Sequence, residues 1–408
     1  MNCRHCGTPL RLPFLDLGSA PPSNAYLTWE TLQAPEQWFP LRVLVCEQCL
    51  LVQTEDFSKA ETLFAPDYAY FSSFSGTWLT HAETYVRDMI RRFSLGPRSM
   101  VVEVAANDGY LLQYVQAAKI PCLGIEPTSG TAQAARKKGL TIIEEFFGRQ
   151  LALNLVQAGQ AADLTVANNV LAHVPDINDF AAGFALLLKP GGVATFEFPH
   201  LLRLVQENQF DTVYHEHYSY LSLMAVASLF ASQGLDIFDV ERFPTHGGSL
   251  RVYAQRADSG KRPHTGRLEE VFAEERRAGM AGTAFYAGLQ DRAERIKNDL
   301  LLFLLKAKGA GLTVAAYGAA AKGNTLLNFA GVRPDLLAYV ADRNPAKQGK
   351  FMPGSRIPIV DEAHLQRQRP DRVLILPWNL REEIMRQLEY IRGWGGQFVT
   401  AIPELRLF

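Results

Sequence analysis

A basic excess, a long apolar run and a glycine-rich dinucleotide fingerprint are all missing from this chain. The net charge is −1 over 408 residues, so there is no broad field to hold nucleic acid. The strongest apolar run, residues 300–305, is stopped by Lys306, far short of a membrane span. The opening residues, MNCRHCGTPL, carry no apolar signal region. These absences point to a cytoplasmic protein with neither nucleic acid nor membrane as partner. G-x-G-x-x-G is not met in either strand–turn–helix stretch, which weakens a nicotinamide-dependent dehydrogenase. Cysteine is scarce at five residues, and a reducing compartment makes disulfides unexpected.

Four of those cysteines nevertheless form two CxxC pairs, Cys3 with Cys6 and Cys46 with Cys49. The spacing lets both sulfurs of a pair reach one ion from a tight knuckle. Two knuckles supply four thiolates, a closed tetrahedral zinc site with no position left for water or substrate. Such a site is structural. The alternatives are one redox pair beside incidental cysteines, or His5 as a replacement ligand. Cys122, flanked by apolar residues, is expected as a buried core thiol. Residues 64–76, FAPDYAYFSSFSG, suit either a lid over a site, with Tyr68 in it, or ordinary packing.

Residues 100–112, MVVEVAANDGYLL, read as a buried strand, a small-residue turn and the opening of a helix. That is the layout of a nucleotide-binding crevice. Glu103 lies inside the apolar strand, where a bare carboxylate is costly. It is expected to accept hydrogen bonds from the ligand loop or the ligand. About twenty residues on, CLGIE ends a second strand in an acid, and Glu126 can accept both hydroxyls of an adenosine ribose. Strands at 141–143 and 163–170, a helix at 177–188, a KPGG turn and a strand at 193–198 follow. The alternation predicts an α/β fold with a doubly wound parallel sheet.

The densest chemistry lies in residues 211–221, DTVYHEHYSYL. Tyr214, His215, Glu216, His217 and Tyr218 are consecutive, and two of the chain's nine histidines sit here. They suit neither a core strand nor a surface helix. What remains is a loop presenting acid–base groups, or a solvated loop packed on apolar neighbours. HGGSLRVY, from His246, is either a hairpin turn or an anion contact helped by Arg251. The last third holds a second αβ unit, with strands at 313–317, 337–342 and 373–376. Its turn is not a Walker loop, because Lys322 precedes Gly323. Lys322 at a helix N-terminus still suits a phosphate, and a half-Rossmann unit without a ligand is the alternative.

DLTVANNVLAHVPD and LLLKPGGVATFEFPH resemble the later half of a class I S-adenosylmethionine methyltransferase; EVAANDGYLL and GIEP resemble its first two motifs. A tighter likeness spans nearly the whole chain. The four cysteines, EVAANDGYLL, HVPD, YHEHYSYLS, THGGSLRVY and YGAAAKGNTLLN, in that order, are similar to the zinc-containing sugar C-methyltransferases. The resemblance implies three parts: a zinc-binding part (1–75), a Rossmann-like methyltransferase part (76–258) and a C-terminal half-Rossmann part (259–408) that helps bind a sugar nucleotide. It implies S-adenosyl-L-methionine as methyl donor, beside structural Zn2+. The implied cofactor contacts are Glu103, Ala105, Asn107, Asp108, Gly109, Glu126, Pro127, Asn168 and Asn169, with Ala105 standing where the superfamily usually has glycine. The implied substrate is a nucleotide-linked 4-keto deoxysugar, by default on thymidine diphosphate (dTDP) and methylated at C-3. Its implied contacts are His215, His246, Gly247, Ser249, Arg251, Lys322 and Asn324. His217 is the expected base; Tyr214, Glu216 and His173 orient it or donate, and Tyr68 closes the site. A monomer or weak oligomer is expected.

The chemistry explains the demand for these groups. A sugar carbon becomes nucleophilic only when its proton leaves, and a neighbouring ketone makes that proton acidic. The site then needs a base, a stabiliser for the enolate oxygen and tight positioning. A small-molecule O- or N-methyltransferase would keep the sheet without needing such a base. A zinc-ribbon RNA-modifying protein would need positive charge that this chain lacks.

Overall fold

The computed structural model describes residues 1–57 and 71–408, and three sheets carry its architecture. The first is antiparallel, from β1 (Leu12–Ala20), β2 (Phe39–Val45) and β3 (Val52–Thr54). The second is built from β4 (Val101–Val104), β5 (Cys122–Ile125), β6 (Ile142–Ile143), β7 (Ala162–Asn168) and β8 (Leu188–Pro199). All four residues of β4 are buried, as expected for a parallel strand covered on both faces.

β9 (Ser219–Tyr220) does not join that second sheet. It pairs antiparallel with β3 and completes the first. β10 (Leu235–Phe243) and β11 (Ser249–Arg256) form a hairpin, and β11 runs antiparallel beside β8. The central order is β10-β11-β8-β7-β4-β5-β6. The expected parallel sheet is therefore mixed at one edge. The KPGG segment is not a free turn: it lies within β8, where Gly191 (φ +86°) accompanies a register shift against β7. That is bulge geometry, which glycine accommodates without strain.

The third sheet holds β12 (Val314–Tyr317), β13 (Val340–Ala341), β14 (Ile359–Val360), β15 (Arg372–Ile375), β16 (Gln397–Thr400) and β17 (Arg406–Leu407). Its order is β14-β13-β12-β15-β16-β17, parallel except for β17. Among the described residues no helix is long and apolar enough to cross a membrane.

Core packing places the sheets relative to one another. Phe196 on β8 meets Phe184 and Phe230 at tilted angles of 59° and 55°, each with ring centroids 4.6 Å apart. A different core joins the N-terminal and C-terminal sheets, with Val43, Phe210, Leu326 and Val340 in one buried cluster. Hydrogen bonds repeat the connection: the Asn324 amide donates to the Ser23 carbonyl (2.6 Å) and the Thr325 hydroxyl to the Val213 carbonyl (2.8 Å). The segment 211–221 thus runs between all three sheets.

Candidate active site

One cavity of about 560 Å³ opens where these parts meet. It lies at the carboxyl ends of β4, β5 and β7, the end at which open α/β sheets bind ligands. The 211–221 loop, the turn before β11 and the helix Ala321–Phe329 complete its wall.

At the sheet end, Glu126 accepts the Asn107 amide on one oxygen and the Thr128 amide on the other, each at 2.9 Å. The loop that follows β4 is wound left-handed at Ala105 (φ +58°) and Asn107 (φ +49°). An alanine there carries about 1 kcal/mol of strain or more, which a glycine would not. Ala105, Asn107, Glu126, Pro127, Asn168 and Asn169 all line the cavity. The Oδ1 atoms of Asn168 and Asn169 are buried without a hydrogen-bond partner. Orphaned acceptors beside an acid-ended strand fit the ammonium and ribose donors of S-adenosylmethionine.

Three expected cofactor contacts lie elsewhere. Glu103 is fully buried in β4, does not reach the cavity, and burial pushes its carboxyl well above the usual range. Asp108 faces Lys138 at 3.5 Å. Gly109 takes the left-handed conformation (φ +76°) that favours glycine, and a Cβ there would also meet the end of the Leu140 side chain at 2.2 Å.

The other end of the cavity gathers His173, Tyr214, His217, His246 and Lys322. The Nδ1–H of His173 donates to the Glu216 carbonyl (2.8 Å), and that of His217 to the Thr212 carbonyl (3.0 Å). A carbonyl only accepts, so Nε2 carries the lone pair in both rings. The His217 ring lies 3.9 Å from that of Tyr214 and meets His173 edge-on at 4.6 Å. Burial, then the neighbouring His173, holds His217 well below 6.5. Burial lowers His173 to about 4. Burial, then Lys322, lowers His246 to about 4. All three rings are neutral at pH 7.

A sign follows for pH. As pH falls below 6.5, the unfolded chain binds protons that these folded histidines refuse. Their contribution to stability is therefore lost between 6.5 and about 4. Glu216, pushed up by burial, acts in the opposite sense. Imidazole NMR is expected to find His173 and His246 neutral near pH ~6; a protonated ring there would contradict the burial argument.

Several expected contacts turn away from the cavity. His215 places Nε2 3.2 Å from the Pro40 carbonyl and packs edge-on against Phe39. Glu216 accepts the Asn24 amide at 3.1 Å and orients His173 only through its main-chain carbonyl. Gly247 (φ +89°) is held against Trp378, which a Cβ would approach to 2.6 Å. Ser249 donates to the Thr245 carbonyl (2.9 Å), and Asn324 ties to Ser23 as above. Arg251 is no anion contact. It is 3% exposed, pairs with the buried Glu197 at 2.6 Å, and lies over the Tyr85 and Phe243 rings. Arg251→Met is expected to cost about 3–5 kcal/mol, because the buried Glu197 carboxylate loses its guanidinium and keeps only His81 (2.9 Å) and the Thr245 hydroxyl (3.2 Å). Chemical denaturation checks this, and a loss below ~1 kcal/mol would contradict it.

Tyr68 lies outside the described residues. Sequence reasoning passed over Asn24, Trp78 and Lys347, which all line the cavity. Trp78 carried a signal: Ser75 caps its helix by accepting the Trp78 amide, which fixes the ring beside the turn. Asn24 and Lys347 carried none, because tertiary packing alone brings them in.

The four cysteine sulfurs all lie within 4.8 Å of one another. Cys3 to Cys49 is 3.5 Å and Cys6 to Cys46 is 3.4 Å. Those distances exceed a disulfide bond of about 2.05 Å and suit the edges of a tetrahedron around zinc, with Zn–S near ~2.3 Å. His5 is engaged by Asn178 at 2.9 Å, not by the cluster. Cys122 is half-buried on β5 rather than sealed in the core. The cluster is tied to the site next door: Thr54 donates through its hydroxyl to the His217 carbonyl (2.9 Å) and through its amide to the Tyr218 carbonyl (3.2 Å).

A seven-stranded sheet with one antiparallel strand, its acid-ended crevice and a four-thiolate zinc module define an S-adenosylmethionine-dependent methyltransferase with structural zinc. Residues 78–240 match the methyltransferase domain family, 3–64 a zinc binding domain and 244–403 the C-methyltransferase C-terminal domain. The chain is 34% identical over 409 residues to the C-methyltransferase NovU of Streptomyces niveus, an alignment covering 100% of this chain and 96% of that protein. It belongs to the NovU family of C-methyltransferases. Among solved structures it is similar to the magnesium protoporphyrin IX methyltransferase of Synechocystis PCC 6803 with S-adenosylmethionine bound. That match has a TM-score of 0.34 and 15% identity, over 44% of this chain and 79% of that one. An S-adenosylmethionine dependent methyltransferase of Mesorhizobium loti matches with a TM-score of 0.35 and 14% identity, over 44% and 100%.

Proposed function

We propose that this C-methyltransferase acts at C-3 of a nucleotide-linked 4-keto deoxysugar, with thymidine diphosphate as the nucleotide, by way of an enolate. The observation that carries the reading is His217, a neutral imidazole with its lone pair on Nε2, in the same cavity as the acid-ended crevice and Lys322. Methylation at oxygen or nitrogen needs no enolate, so loss of a proton from carbon separates those reactions from this one.

The parts divide the work. Residues 1–75 hold the loop in register, 76–258 bind the methyl donor, and 259–408 take the sugar nucleotide. When bound, S-adenosylmethionine supplies a sulfonium methyl group, held by Asn107, Glu126, Asn168 and Asn169. His217 removes the proton beside the ketone. Its unprotonated state below pH 7 keeps it ready to accept, at some loss of intrinsic basicity. Tyr214 and His173 fix the imidazole plane from two sides. Ala320, Ala321 and Lys347 form the C-terminal face toward the diphosphate, where a helix N-terminus and a cation favour anionic oxygens.

The test is mass spectrometry and NMR on a panel of nucleotide-linked 4-keto-6-deoxy sugars incubated with the protein and S-adenosylmethionine. A product one methylene heavier, with the new methyl on C-3, is expected. A methyl on oxygen, or no gain by any sugar, would overturn the reading.

A further inference from the structure

Lys322 lines the same cavity as His217 and His246, and the ring it lies over also packs against the His246 turn. Its helix is pinned to the loop by the Thr325–Val213 hydrogen bond, one residue before Tyr214. Its ammonium lies 4.5 Å from the centre of the Trp378 ring. The same indole packs against Gly247, next to His246, and donates Nε1–H to Asp211 at 2.8 Å. Base, His246 turn and ammonium therefore share one corner of the cavity.

The ammonium is also underused. Among the described residues it makes one hydrogen bond, to Asn379 Oδ1 at 2.8 Å, although it has three donors. Burial pushes the ammonium below its usual range; Asp211 opposes that shift from nearby but is bonded to Trp378 instead. One Asp211 oxygen is buried without a partner. A cation with spare donors beside a base is suited to charge that appears only during reaction.

We infer that Lys322 is a catalytic residue that stabilises the enolate oxygen, rather than an anchor for the diphosphate. This rests on the keto-sugar reading above. In the step it serves, the C-3–H bond breaks and its proton goes to His217 Nε2. The electron pair forms the C-3–C-4 double bond, and the carbonyl π pair moves onto the C-4 oxygen. Lys322 faces that oxygen, which is bonded to the carbon beside the one losing its proton. The diphosphate lies a hexose ring away. The electrostatics agree, since Lys322 is among the groups that keep both His217 and His246 unprotonated.

The experiment compares wild type and Lys322→Met in two assays. One follows solvent-deuterium exchange at C-3 of dTDP-4-keto-6-deoxyglucose with S-adenosylhomocysteine present. The other measures binding of thymidine diphosphate alone by calorimetry. Exchange is expected to slow by about 10²–10³-fold with thymidine diphosphate affinity unchanged. Unchanged exchange with weakened binding would overturn the inference and return Lys322 to the phosphate. If wild type itself exchanges no proton from any keto sugar in the panel, the underlying reading fails and takes this inference with it. Should Lys322→Met not fold, Asn379→Ala carries the test, because it keeps the charge and removes its acceptor. Slowed exchange is expected there too, with nucleotide affinity held; unchanged exchange overturns the assignment.

Discussion

His217→Asn is expected to lower kcat by about 10²–10⁴-fold, the range for losing a positioned base, while affinity for S-adenosylmethionine stays near wild type. Asparagine can still donate to the Thr212 carbonyl from the place of Nδ1, so the loop keeps that tie. It offers no basic nitrogen to the cavity. The cofactor crevice is built from other segments, around Glu126, Asn168 and Asn169, so binding and turnover should separate. Single-turnover kinetics and calorimetry read the two quantities. Unchanged turnover would remove His217 from the role of base.

Cys46→Ser, or removal of zinc by a chelator, is expected to abolish turnover through structure alone. Cys46 is fully buried, and its knuckle leads directly into β3. β3 holds β9, and Thr54 grips the carbonyls of His217 and Tyr218. Structural zinc sites contribute folding free energy outright, about 10–16 kcal/mol in small zinc modules. Metal analysis should find one zinc per wild-type chain and none after chelation, with a lower Tm and loss of activity. Full activity in metal-free protein would contradict the coupling.

The central sheet was legible because its signals are local. An apolar strand, a small-residue turn and a strand ending in Glu126 lie within thirty residues, and their periods survive any tertiary context. The cysteine pairs were legible because thiolate geometry is fixed by spacing. Side-chain direction in the 211–221 loop was not. His215 and Glu216 turn away while Tyr214 and His217 face the cavity, because β9 must register against β3, more than a hundred residues earlier. Arg251 misled for a similar reason. Beside two glycines it reads as an anion site, but its partner Glu197 comes from β8 and becomes a neighbour only when the strands pair. The KPGG motif carries turn residues, yet the sheet absorbs it as a bulge. Asn24 and Lys347 reach the cavity from opposite ends of the chain, which no local pattern encodes.

The most direct test of C-methylation is the fate of the proton on C-3. A dTDP-linked 4-keto-6-deoxy sugar carrying deuterium at C-3 is turned over with S-adenosylmethionine, and the product is read by mass spectrometry and NMR. The expected product has lost the deuteron and gained a methyl group at that carbon. A methylated product that retains deuterium at C-3 would place the methyl elsewhere and contradict the base-generated enolate.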